Sequence, residues 1–245
     1  MKKHSFLSYI FWTAAAVVTG ITVSSATAAA AKTAHRYIAS AGTTFVYIAE
    51  RLPDSVIEKA EIKKPSLSAE GYLVADIQTG EIILAKNKNK QFPIASITKL
   101  MTALVSLETI DQSQIAIVPL EALVGENPSI KGLSEGEVLS TSSLLYPLLL
   151  ESSNAAAKTL ADHVGTKNFV NYMNGKAGSI GLSSTSFADS SGLSSRNLST
   201  PEDLFKLISY LFKNKKQVLD ITRKKEFGEG MKKWANGDKF SGLEN

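Results

Sequence analysis

Two apolar runs, Tyr72-Leu73-Val74-Ala75-Asp76-Ile77 and Glu81-Ile82-Ile83-Leu84-Ala85, precede every helical pattern in the body of the chain from Gly71 onward. The turn signal Gln78-Thr79-Gly80 joins them as a hairpin. Both runs are apolar on both faces, so the sheet they form needs cover on each side. After Pro93 the period changes. Ile97, Leu100, Met101, Leu104 and Leu107 recur at helical spacing and make one apolar stripe. Further helices are predicted over Thr141 to about Glu151, over Asn154 to His163 with Gly165 as the stop, and over Thr166 to Gly178. Pro147 is expected to interrupt the first of these. Thr200 caps the next, with Pro201 in the first position and Asp203 completing a capping box. Strands first and helices after imply that the sheet within this chain is small.

The first 31 residues follow another logic. A basic start, Lys2-Lys3-His4, leads into an apolar run from Phe6 to Val23 and then into small residues from Ser24 to Ala31. Ala26-Thr27-Ala28 fits a small-x-small cleavage site, so residues 1–31 read as a secretory signal peptide. The run approaches the ~20 residues that span a bilayer, and it reads as a signal anchor if it stays uncleaved. It has no polar face, which argues against a buried core helix. Residues 32–65 read as a stem, with one helix from about Thr44 to Arg51 and with Pro53 and Pro65 as punctuation. Residues 66–245 are left to form the domain.

The chain of 245 residues has no cysteine, which excludes a disulfide scaffold, a thiol nucleophile and a thiolate zinc site. Three scattered histidines, His4, His35 and His163, argue against a His-rich metal site. Half of the formal charge of +4 lies on Lys2 and Lys3, so the body is nearly neutral and nucleic acid is not an expected partner. The run Lys213, Lys215, Lys216, Arg223, Lys224, Lys225 reads as a solvated helix face, and His163 as a partner of its helix dipole. Tyr146 and Tyr172 read as packing residues.

The chemistry sits in two short motifs. In Ser96-Ile97-Thr98-Lys99 a spacing of three puts hydroxyl and amine on one helical face. The free N–H groups and partial positive charge of the helix N-terminus disfavour an ammonium there and help Lys99 to take the proton of Ser96. Ser152-Ser153-Asn154 is the second, where Ser152 can relay a proton and Asn154 can hold a carbonyl or orient Lys99. Each motif alone occurs near chance, and the bland alternatives are a capping serine with a surface lysine, and a helix start.

Taken together, Ser96-x-x-Lys99 and Ser152-x-Asn154 resemble the pairing of penicillin-binding proteins and serine β-lactamases. Pro93 through Thr102, with Thr79-Gly80-Glu81 ahead of it, looks like the nucleophile segment of D-alanyl-D-alanine carboxypeptidases, the low-molecular-weight penicillin-binding proteins. Leu144-Leu145-Tyr146, Ala155-Ala156, Phe169, Met173-Asn174 and Phe187 through Ser191-Gly192-Leu193 extend the likeness from about Leu67 to at least Leu211. The resemblance implies an α+β, β-lactamase/transpeptidase-like fold, with an antiparallel sheet flanked by helices plus a helical subdomain. It implies a serine peptidase acting through an acyl-enzyme on Ser96, with Lys99 as base and Ser152 and Asn154 assisting, and neither metal nor cofactor. Its substrate would be a peptidoglycan stem peptide ending in D-Ala-D-Ala, its inhibitors β-lactams, and its place the outer side of the cytoplasmic membrane.

Three departures qualify the likeness. Ala155 stands where the family usually has Asp, and Pro147 precedes the second motif; both are expected to be tolerated. The family's third element, Lys-Thr-Gly or Lys-Ser-Gly on a core strand, has no counterpart. Lys176-Ala177-Gly178 lacks the hydroxyl, and Lys239-Phe240-Ser241-Gly242 is one residue too long. The expectation is therefore a chain that stops short of the C-terminal strands, leaving the hairpin with an open edge and an uncovered face, and inactive alone. A class A β-lactamase needs a carboxylate to activate the deacylating water, and Ala155 to Thr200 offers only Asp162 and Asp189. A D-alanyl-D-alanine endopeptidase would share every residue named, and a catalytically dead wall-binding protein is the alternative outside enzymes.

Overall fold

A computed structural model describes residues 45–48, 67–124 and 132–237. The signal segment, most of the stem and Lys239 through Gly242 lie outside the described residues. Where a helix is expected from Thr44 to Arg51, the chain instead forms strand β1 (Phe45–Ile48). The sequence Phe-Val-Tyr-Ile is aromatic and β-branched, which suits a strand, and a helix this short has no stability of its own. A ladder is available beside it: β1 runs parallel to β2 (Tyr72–Ala75), with Phe45 opposite Tyr72 and Ile48 opposite Ala75. β2 is thus paired on both sides, and the hairpin's open edge in the described sheet is that of β3.

β2 pairs antiparallel with β3 (Ile82–Lys86), as the turn signal predicts, with Leu73 opposite Ala85 and Val74 opposite Leu84. Asp76 shapes the turn by accepting the N–H groups of Gln78 and Thr79, both at 2.7 Å. Cover differs between the two strands rather than between the two faces. Leu73, Val74 and Ala75 are buried, whereas Ile82 and Ile83 are 42% and 59% exposed. β3 is the outer strand of the three, and its apolar residues lack the burial that their hydrophobicity would favour.

The helices are α1 (Thr98–Thr109), α2 (Leu120–Leu123), α3 (Thr141–Leu150), α4 (Asn154–Val164), α5 (Thr166–Ser179), α6 (Pro201–Asn214) and α7 (Lys216–Thr222). Met101 and Leu104 of α1, Leu144 and Leu148 of α3, Leu160 of α4 and Phe169 of α5 are fully buried in one core. α6 packs against β1 and β2. Contrary to expectation, α3 runs straight through Pro147. A proline there removes one N–H from the ladder, and its own carbonyl still accepts Glu151 N at 3.2 Å and Ser153 N at 3.0 Å. Thr200 caps α6 through Asp203 N at 3.1 Å, but the predicted box does not close. The Asp203 carboxylate instead takes Ser184 N at 2.8 Å and Thr185 Oγ1 at 2.9 Å.

Three two-stranded ladders complete the description: β4 (Phe92–Pro93) with β7 (Leu198–Ser199), β5 (Ile115–Ile117) with β6 (Val138–Ser140), and β8 (Glu226–Glu229) with β9 (Lys232–Ala235). Tyr146 packs as expected, its ring stacked 3.5 Å from that of Phe227, which in turn lies over Trp234. Tyr172 does not; it is 48% exposed. Lys213, Lys216, Lys224 and Lys225 are exposed, as a solvated face requires. His163 bonds Gln114 Oε1 at 2.8 Å. No helix of the described residues is long and apolar enough to cross a membrane.

Candidate active site

The site grows from the end of β4. Ile94 N donates to Asn197 O at 3.0 Å, tying this strand end to the one carrying β7. The next residue, Ala95, has φ of +44°, a left-handed conformation that costs a non-glycine residue about 1 kcal/mol or more. It starts a single 3-10 turn, Ala95–Ile97, that feeds α1. Ser96 is half-buried in that turn, and Lys99 follows one turn later, 2% exposed. The bland alternative for this motif, a capping serine with a surface lysine, does not hold. Ser96 does not cap α1, whose cap position is Ile97, and Lys99 is not a surface lysine.

Three acceptors surround the Lys99 amine. Nζ donates to Ser96 Oγ at 3.1 Å, to Asn154 Oδ1 at 2.8 Å and to the Ser191 carbonyl at 2.7 Å. That is full use of an ammonium's three protons. The two carbonyl-type oxygens cannot donate, so a neutral amine must spend both of its N–H bonds on them. Its lone pair can then face the Ser96 hydroxyl, which has a proton to give. The arrangement can therefore accept the hydroxyl proton without any side chain moving.

Asn154 reaches Lys99 because it is the first residue of α4, whose cap is Ser153, accepting Ala156 N at 3.1 Å. Ser152 stands just before, half-buried, with φ of +55°. It shares the α3–α4 loop with Asn154. Ala155 is 2% exposed and packs into the core, where an aspartate would bury a charge; alanine avoids that cost. Strand β9 ends beside the same loop, with Ala235 N on Glu151 Oε1 at 3.2 Å and Gly237 N on Leu150 O at 3.1 Å.

Sequence reasoning missed the third wall, the loop from Asp189 to Asn197. Thr102 Oγ1 donates to Ser190 O at 2.6 Å, and Ser190 Oγ donates to Ala157 O at 3.0 Å, fastening the loop to α1 and α4. Asn197, fully buried, accepts Ala188 N at 2.7 Å and Asp189 N at 3.2 Å through Oδ1 while its amide donates to Thr98 Oγ1 at 3.0 Å. Asp189 gathers the loop around its carboxylate: Ser191 N at 2.7 Å, Ser191 Oγ at 2.9 Å, Gly192 N at 2.6 Å and Ser194 N at 2.6 Å. Burial pushes the Asp189 pKa up, and the N–H groups of Gly192, Ser194 and Ser191 more than reverse this, leaving it below the ordinary 3.8. Gly192 has φ of +89°, and a Cβ there would lie 2.0 Å from the Ala95 carbonyl oxygen. Only glycine lets this loop lie against the turn that carries Ser96. The stretch from Phe187 to Leu193 entered only as part of the family likeness, and nothing local tied its Ser191 carbonyl to Lys99. Among the described residues, no three His, Cys, Asp or Glu side chains are grouped to ligate a metal ion.

A family model described as D-alanyl-D-alanine carboxypeptidase (Peptidase_S11) matches residues 58–241, most of the chain. The chain belongs to the D-alanyl-D-alanine carboxypeptidase family. It is 34% identical over 155 residues to a D-alanyl-D-alanine endopeptidase of Escherichia coli (strain K12), covering 59% of this chain and 48% of that one. Among solved structures, the D-alanyl-D-alanine carboxypeptidase from Mycobacterium tuberculosis H37Rv superposes with a TM-score of 0.66 at 28% identity, over 75% of this chain and 72% of that one. Penicillin-binding protein D2 from Listeria monocytogenes, in its ampicillin-bound form, gives 0.64 at 30% identity over 73% and 77%. The α+β penicillin-binding fold is thus shared. The chain spans about half the length of the curated relatives it matches.

Proposed function

We propose that this family member is a serine-type D-alanyl-D-alanine carboxypeptidase, exported to the outer side of the cytoplasmic membrane, where it trims peptidoglycan stem peptides. The observation that carries the reading is the Lys99 amine held between two carbonyl-type acceptors and the Ser96 hydroxyl. Ser96 Oγ attacks the carbonyl between the two D-alanines while Lys99 takes its proton. The oxyanion that forms is met by the Ser96 backbone N–H. The C–N bond then breaks, the terminal D-alanine leaves as an amine with the proton returned to it, and the peptide remains esterified to Ser96. Ser152 and Asn154 assist the proton transfers and hold the substrate. Water hydrolyses the ester, and a β-lactam acylates the same oxygen.

An endopeptidase acting on the corresponding bond in cross-links is the second reading, supported by the likeness to the Escherichia coli endopeptidase. A class A β-lactamase is disfavoured, because the carboxylate of Asp189 is already occupied by four donors of its own loop. Labelling the full-length protein with a fluorescent penicillin tests the enzyme reading: the wild type takes up one label and Ser96→Ala none. A wild type that takes no label would instead support the non-catalytic wall-binding alternative. Carboxypeptidase and endopeptidase separate on products, free D-alanine from a pentapeptide or monomers from a cross-linked dimer.

A further inference from the structure

We infer that Asp189 is a positioning residue for the acylation step, setting the direction of the Lys99 lone pair by fixing where the Ser191 carbonyl lies. This rests on the acyl-enzyme reading above and adds to it a residue that touches neither substrate nor nucleophile.

The argument begins with the Lys99 amine. A neutral amine has two N–H bonds and one lone pair, and the lone pair points wherever the two N–H bonds leave it. One of those bonds goes to Asn154 Oδ1 on α4, a rigid element that starts at a well-formed cap. The other goes to Ser191 O, a backbone atom in a loop with no regular ladder of its own. Swinging that carbonyl aside by an ångström turns the lone pair away from Ser96 Oγ, and misplacements of that size can cost ~100-fold in rate.

The loop stays in place because one carboxylate organises it. Oδ1 of Asp189 accepts Ser191 N, Ser191 Oγ and Gly192 N, which fixes the peptide units on either side of the Ser191 carbonyl. Oδ2 accepts Ser194 N, which closes the turn. Backbone N–H groups converging on an anion are stronger than neutral hydrogen bonds, and they exert their hold close to the ionised oxygen. The loop is anchored at its base as well, since Asn197 holds both Ala188 N and Asp189 N and ties them to Thr98, next to Lys99 in sequence. An asparagine at 189 keeps the size and one acceptor but turns the other oxygen into a donor facing Ser194 N. An alanine removes both.

The test is stopped-flow acylation of the full-length protein by a fluorescent penicillin, with the rate constant and the labelled amplitude read separately. The amplitude reports how much protein is folded, and the rate constant reports only the folded fraction. We expect Asp189→Asn to slow acylation roughly tenfold and Asp189→Ala on the order of 100-fold, with the saturation constant for the penicillin unchanged. A lower amplitude at the wild-type rate constant would make Asp189 a residue of the fold alone and overturn the inference. A wild type that is not labelled overturns the acyl-enzyme reading and this inference with it. A labelled wild type with Asp189→Asn equally fast overturns this inference and leaves that reading standing.

Discussion

The carbonyl oxygen of Ala95 occupies the space that a side chain on Gly192 would need, 2.0 Å from the position of its Cβ. Ala95 is itself left-handed at φ of +44°, so two unusual backbone conformations face each other at the turn that carries Ser96. Gly192→Ala therefore forces the loop off the turn and adds the penalty of an L-residue at φ of +89°. The expected outcome is a loss of about 2 kcal/mol or more in stability, checked by urea denaturation, together with slower penicillin labelling.

Lys99→Arg keeps a positive, hydrogen-bonding side chain but cannot supply a neutral base, because a guanidinium does not deprotonate in proteins. Labelling by a fluorescent penicillin is expected to slow by about 10²–10⁴-fold, the usual contribution of general acid–base catalysis. An arginine variant that labels at the wild-type rate would remove Lys99 from the proton transfer.

Asp189 makes the loop sensitive to acid. Its folded pKa lies below 3.8, its ordinary value, so the stabilisation it gives is complete above that value. As pH falls through the lower folded pKa the carboxylate protonates and the contribution is lost. Melting temperatures of the wild type and Asp189→Asn, compared between pH 7 and pH 2, are expected to differ at neutral pH and to converge in acid. A constant gap across that range would show that the charge is not the source of the hold.

Asn197 is fully buried, with its carbonyl oxygen on two loop N–H groups and its amide on Thr98 Oγ1 and, at 3.1 Å, Asp189 O. Asn197→Ala strands these partners without water. The expected cost is about 2–3 kcal/mol in chemical denaturation, since an unmet buried donor or acceptor carries its full desolvation penalty. An exposed asparagine such as Asn214 on α6, replaced by alanine, is expected to change stability by less than about 0.5 kcal/mol.

Helices were legible because their signals are local. The stripe from Ile97 to Leu107, the Gly165 stop and the Thr200 cap each lie within a few residues of what they specify. The hairpin of β2 and β3 was legible for the same reason. β1 was not: Phe45–Ile48 finds its partner more than twenty residues away, and only the pairing makes those four residues a strand. An open edge and an uncovered face were expected of the hairpin, but that Ile82 and Ile83 of β3 are the exposed residues depends on which strand ends up at the sheet edge. Pro147 misled for an energetic reason, since a helix buried in a core tolerates the loss of one hydrogen bond.

At the site itself, the chain's own order fixed that Ser96 and Lys99 lie on one side of the helix start, because a spacing of three across a helical turn brings two side chains together. The sequence also placed Asn154 at the start of a helix, through the serines that cap it. It could not place Asn154 or Ser191 on Lys99, which lie 55 and 92 residues away. Only the packing of α1 against α4, and the folding of a loop around the Asp189 carboxylate, brought those oxygens to the amine. The physical reason is range. Backbone periodicity and capping act over a turn or two, while the orientation of a lone pair depends on atoms that meet only when the core has closed.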